Sequence, residues 1–523
     1  MLPVILWISD SPHLPTGFGR VTKEICRRLV AGGALDVNVL AIGADDSACA
    51  NNNHEFRMWP HPKPAPDKQE IQNVIRALKP SIVITLSNLW ASTYMLDIAG
   101  GWEMKWIGYF PIDAGPLPGY FLPIVQRMDH RVTTSDYSAT VFRQYFPQMD
   151  ISVIRHGVDV GVFHPCGCKP VKPLLPDGRK AFVVGCVARN QPRKGIPVLI
   201  EAFARLAERH SDVMLHLHTN PWDVDGWVLR ELLAQHGVAD RTSFTETMLR
   251  FESLSDIELC NVYRFFDVFA LPTMGEGFCI PILEAMACGV PVVATAGSAV
   301  TELLNGRGEL VPPVAAFSVP PHGFKVSLPD GGKFAEALEK IYDNSRLRTK
   351  YAREGRKFAE AMTWDRCADQ WLKLLSGLSI PYSRRLFPMT RGDRNSLVTS
   401  VVVLLPDGAH CEPFKGSDLK SMADGLDDAN ICETIAVIPP GQEKCFDEIR
   451  TALEPDALLL RSSARLNWEE RMRLAVRASR GVRVQVVVPD ESFRENNAEV
   501  IRMEGKEVRI TCISKGRSKE ARA

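Results

Sequence analysis

The chain has 523 residues, which is more than one hydrophobic core organises and predicts about three to four domains. Apolar residues make up 45% of the sequence and charged residues 24%, a composition that excludes a mostly disordered or fibrous protein. Basic and acidic residues both number 62, so no global basic field draws the chain to nucleic acid or to an anionic membrane.

Cysteine usage and the N-terminus favour a reducing compartment. The 13 cysteines lack the spacing of a disulfide framework, and no charged segment or cleavage site surrounds the apolar stretch at 4–8. No apolar run reaches the ~20 residues that cross a bilayer. We therefore expect a cytoplasmic protein without a transmembrane segment, and a peripheral membrane contact stays open.

The first part of the chain reads as an alternation of strands and helices. The strand VILWIS at 4–9 precedes a glycine-containing loop and an amphipathic helix at 20–29. This alternation predicts a parallel sheet that helices cover on both faces. Further candidate strands follow at 37–43, 81–87, 105–111, 130–135 and 151–157.

A Pro- and Gly-rich segment predicts a boundary between two domains, residues 1–165 and residues 166–375. The second domain repeats the strand and helix pattern from Phe182 onward. A linker at 376–395 leads to a third, smaller α/β series at 396–523, whose candidate strands carry no chemical motif. For this accessory domain we expect a structural, oligomerisation or acceptor-binding role.

The strand FDVFALP is apolar on both faces, and the loop TMGEGF follows at its carboxyl end, where open α/β sheets bind ligands. Pro281 suits the first turn of a helix and Gly289 the position after its end, so we predict a helix over 281–288. Seven residues separate Glu276 in the loop from Glu284 in the helix, so both carboxylates can face the hydroxyls of a sugar nucleotide. The backbone amides at the helix start would donate to a diphosphate or to sugar oxygens: Gly277, Phe278, Cys279 and Ile280.

The segment GEGFCIPILEAMACGVPVVAT resembles the Glu-x7-Glu signature of the retaining GT-B glycosyltransferases, family 4 in particular. The resemblance extends to LCNVYRFFDVFALPT, GSAVTELL and HGVDVGVFHP; it covers residues 1–375 and is strongest at 182–304. It implies an α/β protein of GT-B architecture, with two facing Rossmann-like domains and, in this chain, a small C-terminal α/β domain. The helices that carry Trp364 and Trp371 resemble the family's closing segment and would cross back onto the first domain.

The resemblance also implies roles for residues of the second domain. Glu284 would bind the ribose hydroxyls, and Glu276 would contact the transferred sugar beside the reacting carbon. Arg189 and Lys194 in VARNQPRKG would neutralise the diphosphate as the leaving group develops negative charge. These cations would replace a metal, so we expect no metal and no cofactor, and a UDP- or GDP-sugar as the donor.

In the first domain, the loop TGFGR resembles the family's glycine-rich loop, where Gly17 and Gly19 would let the backbone approach the phosphates and the acceptor. Asp113 in GYFPIDAGPLP stands where many family members place a histidine, and we expect it to position the acceptor hydroxyl. Basic residues of the first helix, Arg20 among them, are expected to form a solvated face.

The implied function is transfer of a sugar to a hydroxyl of a glycan or glycoconjugate, with retention of configuration and an α-linkage. Two alternatives stay open. The same chemistry on a hydroxymethylated DNA base would give the third domain a nucleic-acid contact, which the zero net charge disfavours. A scaffold that binds sugar nucleotides without turnover is disfavoured because all four residues Arg189, Lys194, Glu276 and Glu284 are present.

Two other groups are interpreted as structural. Asp223 and Asp225 have the spacing of the metal-binding carboxylates of the other glycosyltransferase fold, but they precede a predicted helix and are expected to cap it. Cys166, Cys168 and the nearby His164 are expected to be linker residues, since a single Cys-x-Cys is a weak metal signal.

Overall fold

The structure is a computed structural model and describes residues 3–378 apart from 34, 51–54, 100, 101, 103, 166–179, 246–253 and 321. Between residues 399 and 512 it describes the backbone of six strands. The chain forms two compact units. One contains residues 2–71 and 80–383, and the other contains residues 72–79 together with the six strands.

Seven strands form the sheet of the first domain: β1 (Val4–Asp10), β2 (Asp36–Ile42), β3 (Arg57–His61), β4 (Ile82–Leu86), β5 (Lys105–Phe110), β6 (His130–Thr133) and β7 (Ile151–Val153). They are all parallel, in the order β3-β2-β1-β4-β5-β6-β7. The described helices of this domain are α1 (Gly17–Ala31), α2 (Asp46–Ala50), α3 (Lys68–Leu78), α4 (Met95–Ile98), α5 (Leu122–Arg127) and α6 (Asp136–Arg143), with 3₁₀ turns at Leu89–Ser92 and Gly119–Phe121.

The residues of β1 and α1 explain why they lie at the centre of this domain. Every residue of β1 from 4 to 9 is buried, and all of them are apolar except the small Ser9. This composition is expected of a central parallel strand. On α1, Val21, Ile25 and Leu29 recur at every fourth residue and are fully buried. Thr16 caps the helix, its hydroxyl oxygen accepting from the backbone N–H of Gly19 at 3.0 Å.

Six parallel strands form the sheet of the second domain: β8 (Phe182–Val187), β9 (Val213–His218), β10 (Thr242–Phe244), β11 (Val268–Leu271), β12 (Val292–Thr295) and β13 (Glu309–Val311). An antiparallel hairpin follows, made of β14 (Ala315–Val319) and β15 (Phe324–Leu328). The described helices are α7 (Ile196–Arg209), α8 (Leu229–Gln235), α9 (Asp256–Arg264), α10 (Ile280–Ala287), α11 (Ser298–Leu304), α12 (Gly331–Asp343), α13 (Ser345–Glu360) and α14 (Trp364–Gly377), with 3₁₀ turns at Pro192–Lys194 and Ala239–Arg241.

Both sheets have the doubly wound order in which the first strand lies inside the sheet. In the second domain the order is β10-β9-β8-β11-β12-β13, so the direction of winding reverses between β8 and β11. Ligands of open α/β sheets bind beyond the carboxyl ends of the strands at such a reversal. The loops after β8 and β11 are therefore the expected ligand site. The loop after β8 contains Arg189 and Lys194, and the loop after β11 contains Glu276.

The last helix, α14, returns from the second domain to the first. Its residue Trp371 is fully buried and its indole ring lies edge-on to Trp7 of β1 at 5.4 Å and to Tyr109 of β5 at 5.1 Å, measured between ring centroids. Thr363 caps the helix by accepting from the backbone N–H of Arg366. The indole anchors the end of the second domain in the core of the first domain.

We expect Trp371→Ala to lower the free energy of unfolding by about 3–5 kcal/mol, because it removes a fully buried ring and leaves a cavity among aromatic side chains. The measurement is urea unfolding followed by circular dichroism. Trp227→Ala is the matched control, because Trp227 is 44% exposed. Removal of this indole should change the free energy of unfolding by no more than about 0.5 kcal/mol. Equal losses in the two variants would show that α14 is not anchored by Trp371.

The third sheet contains β16 (Thr399–Leu404), β17 (Ile431–Ile438), β18 (Leu458–Arg461), β19 (Arg483–Val488), β20 (Val500–Met503) and β21 (Lys506–Cys512). Its order is β18-β17-β16-β19-β21-β20, and its strands pair in parallel except for the antiparallel pair of β20 and β21. Its order places β16 inside the sheet, and β16 to β19 fall where the sequence predicts strands, at 400–406, 433–440, 456–461 and 482–489. Across the described residues, no helix combines the length and hydrophobicity that crossing a bilayer requires.

Candidate active site

The loop between β11 and α10 carries both predicted carboxylates. The helix runs over Ile280–Ala287, one residue earlier at each end than predicted, with Pro281 in its first turn. Cys279 precedes the helix in the left-handed region, at φ 82°, a conformation that favours glycine. Glu276 stands in the loop and Glu284 within the helix, and the side chains of both are nearly inaccessible to solvent.

Glu276 is surrounded by two cations. Its Oε1 accepts from Lys194 Nζ at 2.7 Å and from the hydroxyl of Thr273 at 2.8 Å, and its Oε2 lies 3.0 Å from an Arg193 guanidinium nitrogen. Burial alone would raise the pKa of Glu276, but the charges of Arg193 and Lys194 outweigh burial and lower this pKa to about 2. The carboxylate is therefore ionised throughout the physiological pH range.

The two cations come from a tight turn that ends at Gly195. The 3₁₀ turn Pro192–Lys194 follows β8, and Gly195 closes it at φ 67°. A Cβ at Gly195 would lie 2.0 Å from the carbonyl oxygen of Pro272, so only glycine lets this turn approach the Glu276 loop. Arg193 also donates to the carbonyl oxygen of Gly275 at 2.7 Å.

Arg189 does not join this cluster. Its guanidinium pairs with Asp223 at 2.8 Å and Asp225 at 2.7 Å, and about half of the side chain, 54%, is exposed. Arg193, which sequence reasoning missed, accompanies Lys194 instead, because the 3₁₀ turn directs it at Glu276. The two aspartates thus hold an arginine and form no helix cap, since the nearest helix, α8, begins at Leu229. Cys166 and Cys168 lie outside the described residues.

Asp113 reaches the Glu276 loop from the first domain. Its Oδ1 accepts from the backbone N–H of Gly277 at 2.7 Å, and its Oδ2 lies 3.4 Å from Arg193 Nε. Burial raises the pKa of Asp113 and the neighbouring Glu276 adds to the rise, while Arg193 opposes it. A Cβ at Gly277 would lie 2.3 Å from Pro111, so this glycine allows the loops of the two domains to touch.

The amides predicted as ligand donors are therefore not equivalent. Gly277 donates to Asp113, whereas Phe278, Cys279 and Ile280 stand at the beginning of α10, where helix geometry leaves N–H groups without an intrahelical partner. Phe278 and Cys279 are buried. Their amides point the positive end of the helix dipole at this region of the cleft.

Arg20 of the first domain forms an ion pair with Glu284 of the second domain. The Arg20 guanidinium pairs with Glu284 and, at 2.7 Å, with Asp256 of α9, and the Tyr263 hydroxyl donates to Glu284 at 2.7 Å. Burial raises the pKa of Glu284, and Arg20 partly offsets this rise. The expectation that Arg20 belongs to a solvated face is wrong for this residue, because the first turn of α1 lies against the donor-side helices. Its side chain is only 25% exposed.

The two glycines of the TGFGR loop differ in their surroundings. A Cβ at Gly19 would lie 2.6 Å from the carbonyl oxygens of Ser11 and Leu14, so Gly19 is required by the packing of α1 against its own loop. Gly17 has open space at its Cβ position, with no atom within 4 Å. Only Gly17 thus offers a ligand room for close approach to the backbone.

Comparison with known proteins bears on this arrangement. Residues 181–344 match the family model of the glycosyl transferases group 1. The matched range contains Arg193, Lys194, Glu276 and Glu284. The match covers most of the second domain. The matched domain thus supplies the cationic turn and the two carboxylates, while Asp113 and Arg20 come from the domain before it.

Two relatives illustrate the similarity. A D-inositol 3-phosphate glycosyltransferase of Stackebrandtia nassauensis is 30% identical over 260 residues, 48% of this chain and 54% of the relative. The lipopolysaccharide core biosynthesis mannosyltransferase LpsB of Rhizobium meliloti is 32% identical over 191 residues, 36% of this chain and 50% of the relative. The chain therefore spans about half the length of these relatives.

A solved structure, that of Anabaena HepE in complex with UDP-glucose, is similar to this chain in fold beyond the matched residues. It aligns with a TM-score of 0.56 and 18% identity over 72% of this chain and all of HepE. Together with the two parallel sheets, this establishes the GT-B fold: two Rossmann-like domains joined across a cleft. The predicted fold class is confirmed.

The charge balance at Glu276 predicts a pH dependence of stability. Because the pKa of Glu276 falls from 4.5 to about 2 on folding, its ionised form stabilises the fold above pH 4.5, and this contribution is lost as the pH falls towards 2. At neutral pH it amounts to about 3 kcal/mol. We expect Glu276→Gln to flatten the decline of unfolding free energy below pH 4.5 in urea titrations, whereas Glu339→Gln should keep the wild-type slope. Parallel curves for wild type and Glu276→Gln would contradict the assignment.

Proposed function

We propose that the chain is a retaining glycosyltransferase that moves a sugar from a nucleotide-diphosphate sugar to a hydroxyl of a glycan or glycoconjugate, forming an α-linkage. One observation carries the proposal. At the reversal of the second sheet, Glu276 is ionised at physiological pH and held between Arg193 and Lys194, and Arg193 also lies beside Asp113 of the opposite domain.

The cluster suits the departure of a diphosphate. Breaking the glycosidic bond places negative charge on the leaving phosphate, and Arg193 and Lys194 are fixed charges that stabilise it without reorganisation. Their presence supports chemistry that does not depend on a metal. Glu276 accepts hydrogen bonds from hydroxyls of the transferred sugar, and Asp113 orients the acceptor hydroxyl from the other side of the cleft.

The nucleoside is assigned to the Glu284 end of α10. Glu284 accepts hydrogen bonds from ribose hydroxyls, and these replace some of its present bonds to Arg20 and Tyr263. The names of the two relatives support an acceptor that carries hydroxyls. One relative is named for D-inositol 3-phosphate, and the other is named as a mannosyltransferase of lipopolysaccharide core biosynthesis. HepE was crystallised with UDP-glucose, and we propose a UDP- or GDP-sugar as the donor.

The proposal is tested with UDP-glucose, UDP-galactose, UDP-N-acetylglucosamine and GDP-mannose. Thermal shift identifies the donor, because a ligand that binds the folded state raises its apparent stability by mass action. Release of the nucleoside diphosphate is then measured with and without glycan acceptors and with EDTA, and proton NMR of the product reports the anomeric configuration. We expect one donor to bind, EDTA-resistant release and an α-product. A donor that binds without any release would identify a scaffold instead, and an inverted product would contradict retention.

A further inference from the structure

The β14–β15 hairpin extends from the second domain to the first. The backbone N–H of Ser327 donates to the carbonyl oxygen of Met274 in the Glu276 loop at 2.8 Å, and that of Lys325 donates to Gly115 of the first domain at 3.1 Å. Gly115 is two residues from Asp113, about 7 Å of extended backbone. The hairpin therefore lies at the edge of the cleft beside the residue assigned to the acceptor.

An aromatic cluster joins the tip of this hairpin to the first domain. Phe324 stacks on Phe121 with the rings 8° from parallel, and His322 lies 5.3 Å from Trp90 between ring centroids. The Tyr120 hydroxyl is hydrogen-bonded to Nδ1 of His322. Phe121 is 1% exposed and forms the inner part of the cluster, so packing between the domains explains the inner rings.

Packing does not explain the outer rings. Trp90 is 40% exposed, Tyr120 is 58% exposed and Phe317 is 55% exposed, so these three are among the exposed large hydrophobic residues of the described part of the chain. The register of the hairpin pairs Phe317 with Val326 and Val319 with Phe324, which puts Phe317 and Phe324 on one face. Single exposed rings are common, but several at one edge of a cleft mark a binding surface. We call Trp90, Tyr120, Phe317 and His322 the aromatic rim.

We propose that the aromatic rim binds a pyranose ring of the acceptor glycan, and this rests on the proposed glycosyl transfer. A pyranose has an apolar C–H face and a girdle of hydroxyls, and the rim offers matching features. The exposed faces of Trp90 and Tyr120 cover the C–H groups, while the Tyr120 hydroxyl, which can make a second hydrogen bond, and Nε2 of His322 bond hydroxyls at the edge. A ring seated here places its neighbour towards Asp113.

Other occupants fit the rim less well. The nucleoside belongs at Glu284, which lies in α10 of the second domain, whereas the rim is built from the first domain and the hairpin. A lipid surface would favour a continuous apolar patch with surrounding basic residues, and the rim instead contains hydrogen-bonding groups between its rings. Its polar and aromatic composition, next to Asp113, matches a sugar.

The test uses full-length wild type, Trp90→Ala, Tyr120→Ala and Tyr120→Phe, with Trp227→Ala as a matched control from an exposed indole of the second domain. Saturation-transfer NMR measures binding of methyl α-D-glucopyranoside, methyl α-D-mannopyranoside and maltotriose. We expect at least one of these sugars to receive saturation mainly at its ring C–H protons. Trp90→Ala and Tyr120→Ala should weaken its binding about 5- to 10-fold, and Tyr120→Phe, which keeps the ring face, less than about 3-fold.

Donor-only release of the nucleoside diphosphate separates this proposal from the proposed function. All four variants should release it at the wild-type rate, because the rim does not touch the donor. No binding of the three sugars by wild type, or equal binding by wild type and both alanine variants, would overturn the rim proposal while leaving donor turnover intact. Absence of donor binding and release in wild type would overturn the proposed function itself. Binding of phosphatidylcholine vesicles that Trp90→Ala abolishes, without sugar binding, would replace the sugar by a membrane surface.

Discussion

Glu276→Gln is expected to lower the rate constant of sugar transfer by about 10²–10³-fold, because the side chain keeps its size but loses the charge that pairs with Arg193 and Lys194 and that we propose binds the transferred sugar. The free energy of unfolding should fall by about 3 kcal/mol, since Arg193 and Lys194 are half-buried and would remain beside a neutral group. Single-turnover kinetics with saturating donor measure the first effect, and urea unfolding at pH 7 measures the second.

Glu339→Gln controls for the change of charge. Glu339 lies on α12 and pairs with Arg209, away from the cleft, so transfer should stay at the wild-type rate. Its unfolding free energy should change by less than about 1 kcal/mol, as for other surface ion pairs. A Glu276→Gln enzyme that retains more than a third of the wild-type rate would remove Glu276 from the reaction.

Arg193→Ala is expected to reduce kcat/KM for the donor by about 10²-fold or more, because it deletes one of the two charges that we propose stabilise the leaving phosphate. Arg189→Ala should change the same parameter by no more than about 3-fold, since that guanidinium is half exposed and bonded to Asp223 and Asp225. The two arginines come from one loop, so each serves as the control of the other. Arg193→Lys should recover part of the loss by restoring the charge.

The opposite ranking would be informative. If Arg189→Ala caused the larger loss, the diphosphate would lie against Arg189, as the family resemblance implies. Its bonds to Asp223 and Asp225 would then have to break on donor binding. Equal, small losses for both variants would show that neither arginine contacts the phosphates.

The sequence predicted α10 and the loop before it well because strong local signals bracket them. Pro281 and Gly289 limit α10, and the observed helix differs from the predicted one by a single residue at each end. The apolar strand before the loop could only be a buried parallel strand. These signals act over fewer than ten residues, so no knowledge of the remaining fold was needed to place Glu276 and Glu284.

Contacts between distant segments could not be predicted in the same way. The choice between Arg189 and Arg193 depends on the 3₁₀ turn that Gly195 closes against Pro272, more than 70 residues away in sequence. The bond of Arg20 to Glu284 depends on how α1 faces α10. A basic helix surface gives no sign that one of its residues is held by a buried carboxylate.

The β14–β15 hairpin was also missed, because its strands are only five residues long each. Its outer strand is largely exposed, so the alternation of apolar and polar residues that identifies half-buried strands is weak. The same reason applies to β20 and β21 of the third sheet, whose sequences VIRM and KEVRITC mix charged and apolar residues. These strands form because each pairs with an adjacent strand, and their own sequences carry little of the apolar–polar alternation that predicts a strand.

Calorimetric binding of UDP, UMP, GDP and GMP tests the central claim most directly, that the turn with Arg193 and Lys194 holds the diphosphate of a sugar nucleotide. For the preferred base, we expect wild type to bind the diphosphate at least about tenfold more tightly than the monophosphate, a difference of about 1.4 kcal/mol. In the double variant Arg193→Ala/Lys194→Ala this difference should disappear. Equal affinity for both nucleotides in wild type, or an unchanged preference in the double variant, would contradict the account.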